Sequence, residues 1–108
     1  MPHAGDLVVI SFPGVQGVKR RPALVVSSDA YHQNRPDAIV GLITSQVATA
    51  TGPTDYLLED WDEGGLHKPS AFRAYLWTIP QSALGQRIGR VTDRDRLAIL
   101  DRVYTAIA

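Results

Sequence analysis

The sequence predicts a mainly β fold, a small curled antiparallel domain closed by one C-terminal helix, and three observations predict it. Short β-branched apolar runs recur through the first eighty or so residues, each bounded by glycine, proline or small polar residues. The period then changes: Leu97, Leu100, Val103, Tyr104 and Ile107 recur at spacings of three and four, as on one face of a helix. Finally, 108 residues suit one hydrophobic core, so residues 1–108 are read as a single domain, and strands followed by one helix argue against alternating β-α-β units.

The first strand is read at Asp6–Phe12, where Leu7, Val8, Val9 and Ile10 precede the stop signal Pro13-Gly14. Residues 13–20 then read as an exposed, mobile loop carrying the basic cluster Lys19, Arg20 and Arg21 at its end. A second strand is expected over Pro22–Ser28, with Pro22 at its first position, where a missing N–H is tolerated. Ser28 or Asp29 caps a short helical turn through Gln33, and a third strand covers Ala38–Thr44. Loop follows to Pro53, then a brief strand at Tyr56–Glu59, a break at Gly64-Gly65 and extended chain from Ser70 to Ile79. Thr92-Asp93-Arg94-Asp95 has the form of a capping box, with the acid three residues after the hydroxyl, and the face from Leu97 to Ile107 is expected to pack on the sheet.

Composition excludes several classes of function. With no cysteine there is no disulfide framework, thiolate nucleophile or cysteine-ligated zinc site, and a cytoplasmic protein is the simplest reading. No apolar run reaches membrane-spanning length, and the first residues lack the basic and apolar regions of a signal peptide. The net charge is zero, which argues against nucleic acid, but its distribution is uneven. Residues 55–63 carry five acids and no base, whereas residues 64–90 carry Lys68, Arg73, Arg87 and Arg90 and no acid.

Widely shared catalytic signatures are missing: there is no phosphate-binding glycine loop, zinc-binding histidine pair or nucleophile elbow. Five local motifs nevertheless stand in a telling order. They are Gly5-Asp6-Leu7-Val8-Val9, Arg21-Pro22-Ala23-Leu24-Val25-Val26-Ser27, Ile43-Thr44-Ser45, Gly65-Leu66-His67-Lys68-Pro69-Ser70 and Arg87-Ile88-Gly89-Arg90-Val91. In this order the chain resembles the MazF/PemK toxins of type II toxin–antitoxin pairs over nearly its whole length.

The resemblance implies an SH3-like barrel that forms a homodimer, binds single-stranded RNA in a groove and is covered by a cognate antitoxin. It implies an endoribonuclease (an mRNA interferase) that needs no metal or other cofactor and leaves 2′,3′-cyclic phosphate and 5′-hydroxyl ends. Arg21 and Thr44 match the residues that carry cleavage in the family, with Ser45 beside them. Their chemistry suits the task. Attack by the 2′-oxygen loads negative charge on the non-bridging phosphate oxygens, which a planar guanidinium stabilises through paired donors and a hydroxyl holds in line. Because an arginine stays protonated, Arg21 is assigned electrostatic stabilisation and proton transfer is left open. Lys19, Arg20, His67, Lys68 and Arg73 are the RNA-binding candidates. His32 is read as structural, Trp77 as core, and Trp61 as an aromatic able to stack on a base.

Two departures from the family pattern bear on the mechanism. The first loop is short, with Gly17-Val18-Lys19 where an acid is common, and Tyr75 stands nearest the position of an aspartate that some relatives use. No carboxylate base is therefore carried over. The alternatives are a CcdB-like toxin that traps gyrase, disfavoured by the ending Thr105-Ala106-Ile107-Ala108, and an inactive relative retained for protein binding.

Overall fold

The computed structural model describes residues 1–14 and 17–108. Six strands form one antiparallel sheet: β1 (Asp6–Gly14), β2 (Gly17–Val25), β3 (Asp37–Thr44), β4 (Asp55–Leu57), β5 (Ala71–Pro80) and β6 (Arg87–Arg90). Their spatial order is β4-β5-β3-β2-β1-β6, and the sheet curls into a half-barrel with β4 and β6 at its edges. Helix α1 (Asp29–Asn34) links β2 to β3, and α2 (Asp93–Ile107) follows β6. No helix among the described residues is long and apolar enough to cross a membrane.

Both faces of the central strands are buried, which explains why their sequences are unbroken apolar runs. Leu7 and Leu24 face a cluster with Ile43, Leu58, Leu66, Phe72, Val91 and Ile99. Their neighbours Val8, Ala23 and Val25 face a second cluster with Ile10 and Val40, edged by Phe12 and Trp77 stacked 4.5 Å apart. Gly41 is the gap that admits Phe72, whose ring lies where a Cβ would stand. Trp77 is core-edge, as expected, whereas Trp61 packs half-buried on the first cluster.

The loop expected at residues 13–20 is largely strand. β1 continues to Gly14 and β2 begins at Gly17, in register from Leu7↔Leu24 out to Gly14↔Gly17, so Lys19 and Arg20 belong to a hairpin arm; residues 15 and 16 of the expected loop lie outside the described residues. Pro22 thus falls inside β2. Its facing residue Val9 turns both backbone groups the other way, donating to Gln86 O (2.9 Å) and accepting from Gly85 N (2.7 Å). Pro22 therefore faces Val9 as a non-hydrogen-bonded pair, and since β3 pairs with β2 only from Ala23 onward, its missing N–H leaves no ladder bond unmade.

Helix α1 starts as expected, with the Ser28 hydroxyl accepting from Tyr31 N at 3.2 Å. At its far end the Gln81 side-chain amide donates to the carbonyls of His32 and Arg35, which the helix terminus leaves open, and to that of Asp37 at the start of β3. His32 is buried with Nε2 2.6 Å from Ser27 Oγ, a structural role.

Helix α2 departs from expectation in two ways. Thr92 caps it, accepting from Asp95 N at 3.4 Å, but the Asp95 side chain does not close the box. It is wholly buried and accepts from the Tyr56 hydroxyl (2.6 Å), Glu59 N (3.1 Å) and Asp60 N (2.9 Å). Burial, and after it the bond to Asp95, holds the Tyr56 phenol well above its usual pKa, so the donor stays protonated. The face that packs inward is therefore Asp95, Ile99 and Val103, whereas Leu97, Leu100, Tyr104 and Ile107 are exposed. Helical spacing locates a stripe, but a stripe beside the packing face has the same period.

Asp95→Ala should cost about 3 kcal/mol, since it strands three donors of which two are backbone amides, and urea unfolding measures it. A loss below about 1 kcal/mol would mean that the amides find other partners. A second expectation concerns pH. Arg94, and after it the Thr92 hydroxyl, holds the Asp60 carboxyl below the ordinary carboxylate range. A carboxyl lowered in the folded state stabilises fully above its unfolded pKa of about 4, and that contribution fades as pH falls through the folded value. The urea midpoints of native protein and Arg94→Gln should therefore differ at neutral pH and converge in strong acid; a gap constant into strong acid would contradict the pairing.

Candidate active site

Where β2 leaves the body of the sheet, its exposure changes abruptly: Gly17–Arg21 are exposed, Pro22 is half-buried and Ala23–Val25 are buried. Arg21 is the last residue of the projecting arm. Across from it, β3 ends at Thr44, and the chain turns with Gln46 N donating to Thr44 Oγ1 at 3.1 Å. That bond occupies the oxygen as acceptor and leaves the threonine O–H free to donate.

The third wall is the segment after the acidic turn. Gly65 has φ +104° and lies so close to β6 that an added Cβ would stand 3.0 Å from Ile88 O. Gly89 on β6 has no room for a Cβ against Gly64 O. Leu66 then drops into the core, Leu66 N donates to Trp61 O at 3.0 Å, and the buried Ser70 hydroxyl donates to Lys68 O at 2.9 Å. His67 and Lys68 are left exposed between two fixed points.

These walls enclose a groove of about 390 Å³ lined by Arg21, Pro22, Ile43, Ser45, His67, Lys68 and Ser70 among others. Of the sequence-predicted residues the structure brings together Arg21, Ser45, His67 and Lys68 in the lining, whereas Thr44, the residue before Ser45, is not part of it. No carboxylate lines the groove among the described residues. Three of the five acids of the acidic segment are held in ion pairs, Asp55 with Arg73, and Glu59 and Asp60 with Arg94. A chain of zero net charge thus presents a locally cationic groove.

A cationic groove on a curled antiparallel sheet, opening where the strand beginning Arg-Pro-Ala leaves the body, is the setting in which residues 3–107 match the PemK-like, MazF-like toxins of type II toxin–antitoxin systems. The chain belongs to that family. Solved structures share its fold. A mycobacterial endoribonuclease in complex with its cognate antitoxin superposes with TM-score 0.83 at 22% identity, covering 99% of this chain and 95% of that one. The Mycobacterium tuberculosis toxin MazF-mt6 gives 0.76 at 20%, covering 94% of each. MazE-MazF (Form-III) from Deinococcus radiodurans gives 0.75 at 23%, covering 98% and 95%. No curated protein matches the chain.

Three predicted contacts of the toxin fall outside the groove. Lys19 and Arg20 lie along the hairpin arm. Arg73 lies on β5 with Nε 3.2 Å from Asp55 Oδ1, whose side chain is 7% exposed, so its charge serves β4–β5 pairing. Conversely, Ser70, Ile43 and Ile88 line the groove without having been singled out; the Lys-Pro-Ser and Ile-Thr-Ser motifs were the available signal.

Gly65→Ala is expected to lose about 1–2 kcal/mol, because alanine must adopt a positive φ against the Ile88 carbonyl. Urea unfolding checks this, and an unchanged midpoint would show that the turn is not held against β6.

Proposed function

We propose that the toxin is a metal-independent endoribonuclease of the cytoplasm that cuts single-stranded RNA in the Arg21 groove. One observation carries the reading. In a chain of this family, a guanidinium, an ammonium, an imidazole and hydroxyls converge on one groove that is free of carboxylates among the described residues. The mycobacterial relatives of the same fold described as endoribonucleases support it.

In this reading RNA lies with its scissile phosphate between Arg21 and the Thr44–Ser45 turn. The ribose 2′-oxygen attacks phosphorus, the O5′ bond breaks, and a 2′,3′-cyclic phosphate and a 5′-hydroxyl result. Arg21 stabilises the charge growing on the non-bridging oxygens, and the Thr44 and Ser45 hydroxyls hold the phosphate in line. Lys68 contacts a phosphate, and Lys19 and Arg20 offer further charge along the arm. DNA, lacking the 2′-hydroxyl, is bound but not cut.

The toxin pairs with an antitoxin and works as a homodimer. The exposed apolar residues Leu97, Leu100, Tyr104 and Ile107 on α2 support a protein-covered surface. Sedimentation of the purified chain should give twice the monomer mass.

The decisive test is cleavage of a mixed single-stranded RNA in excess chelator. Arg21→Ala should slow it by about 10²- to 10³-fold, and Thr44→Ala by roughly 10- to 100-fold. Equal rates for native and variant proteins would move the chemistry elsewhere. No cleavage of any RNA, with retained binding to another protein such as gyrase, would favour the protein-binding alternative.

A further inference from the structure

Cyclising cleavage moves a proton as well as a phosphoryl group: O2′ must lose one and O5′ must gain one. The groove's obvious residues do not supply this. Arginine and lysine side chains are already protonated near neutral pH, and serine and threonine hydroxyls are too weak as acids or bases to exchange protons readily there. Among the described residues, the groove lining contains no carboxylate or tyrosine and a single imidazole, that of His67.

The chain's other two histidines are engaged elsewhere. His3 Nδ1 lies 2.8 Å from Asp29, and His32 is buried against Ser27. His67 instead stands exposed on a segment fixed on both sides, by Gly65 and Leu66 before it and by the Ser70 hydroxyl on the Lys68 carbonyl after it. Such a segment holds an imidazole near one place while leaving its ring free to rotate toward a ligand.

We propose that His67 is the proton-transfer residue of the RNA cleavage proposed above, on which this inference rests. Neutral His67 takes the proton from the 2′-hydroxyl as O2′ bonds to phosphorus. The P–O5′ bond breaks with its electron pair on O5′, and the imidazolium returns the proton to that oxygen. The base is neutral again and no external acid or base is consumed. Arg21 then needs no proton-transfer role.

The test is single-turnover cleavage of RNA by the full chain between about pH 5 and 9, comparing native protein with His67→Gln and His67→Ala. Native activity should rise with pH as the base is deprotonated, and His67→Gln should be slower by about 10²-fold and lack that rise. Binding of an uncleavable RNA with 2′-deoxyribose at the cut should be unchanged in His67→Gln, and added imidazole should partly restore His67→Ala. If native protein cleaves RNA and His67→Gln matches its rate and pH profile, the proposal is overturned while the cleavage reading stands. A variant that is slower only through weaker RNA binding, with the native pH profile intact, also overturns it, since His67 is then a contact. If native protein cleaves no RNA, both readings fail together.

Discussion

The Asp95 carboxylate lies fully buried under the first turn of α2, and three donors from the segment before it converge on its two oxygens: the Tyr56 hydroxyl and the amides of Glu59 and Asp60. A buried charge is tolerated only where its hydrogen bonds are met, so these bonds fix the path of the chain as much as they stabilise it. From Asp60 the constraint passes outward. Gly64 N donates to Asp60 O, Gly65 N to Asp62 O and Leu66 N to Trp61 O, each at 3.0 Å, which closes a tight turn against β6. The next two residues are His67 and Lys68. One buried carboxylate on the helix thus determines where the third wall of the groove stands, although it lines no part of that groove.

The same carboxylate shows where reading from sequence stops. Thr92-Asp93-Arg94-Asp95 fits a capping box, and its hydroxyl half is present; its acid half is diverted because partners more than thirty positions away offer three donors. An acid on the packing face also hides that face from a search for apolar period, which is why the exposed stripe of α2 looked like the buried one. Local stop signals misled in a similar way at Pro13-Gly14, where cross-strand pairing in the β1–β2 hairpin outweighs poor strand propensity. Central strands, the cap of α1 and four groove residues were legible, because apolar runs, a serine before a helix and short motifs are local properties. Arg73 was not, since its partner Asp55 is set by the β4–β5 register.

Charge follows the same division between local and long-range information. The sequence separates an acidic stretch from a basic one, and zero net charge taken alone speaks against an anionic ligand. Folding pairs much of the acidic stretch with α2 and β5, through Arg94 on Glu59 and Asp60 and Arg73 on Asp55. Two more arginines, Arg87 and Arg90, gather on the buried Asp6. The charged side chains that line the groove, Arg21 and Lys68, are both cationic. Potential at a concave surface depends on the charges near it, so pairing of the acids elsewhere matters more than the total.

The proposed site residues also sit where regular structure ends: Arg21 where the pairing of β2 with β3 stops, Thr44 and Ser45 where β3 ends, and His67 and Lys68 between a glycine turn and β5. Such positions combine a fixed backbone on one side with free polar groups on the other, which helix and strand interiors cannot offer. Pro22 contributes to this directly. Its missing N–H is harmless only because the β2–β3 pairing does not extend past Ala23, and the same early end of pairing releases Arg21 from β3. A strand that continued its ladder through this point would give a more regular sheet and would close the place where a phosphate can approach the guanidinium.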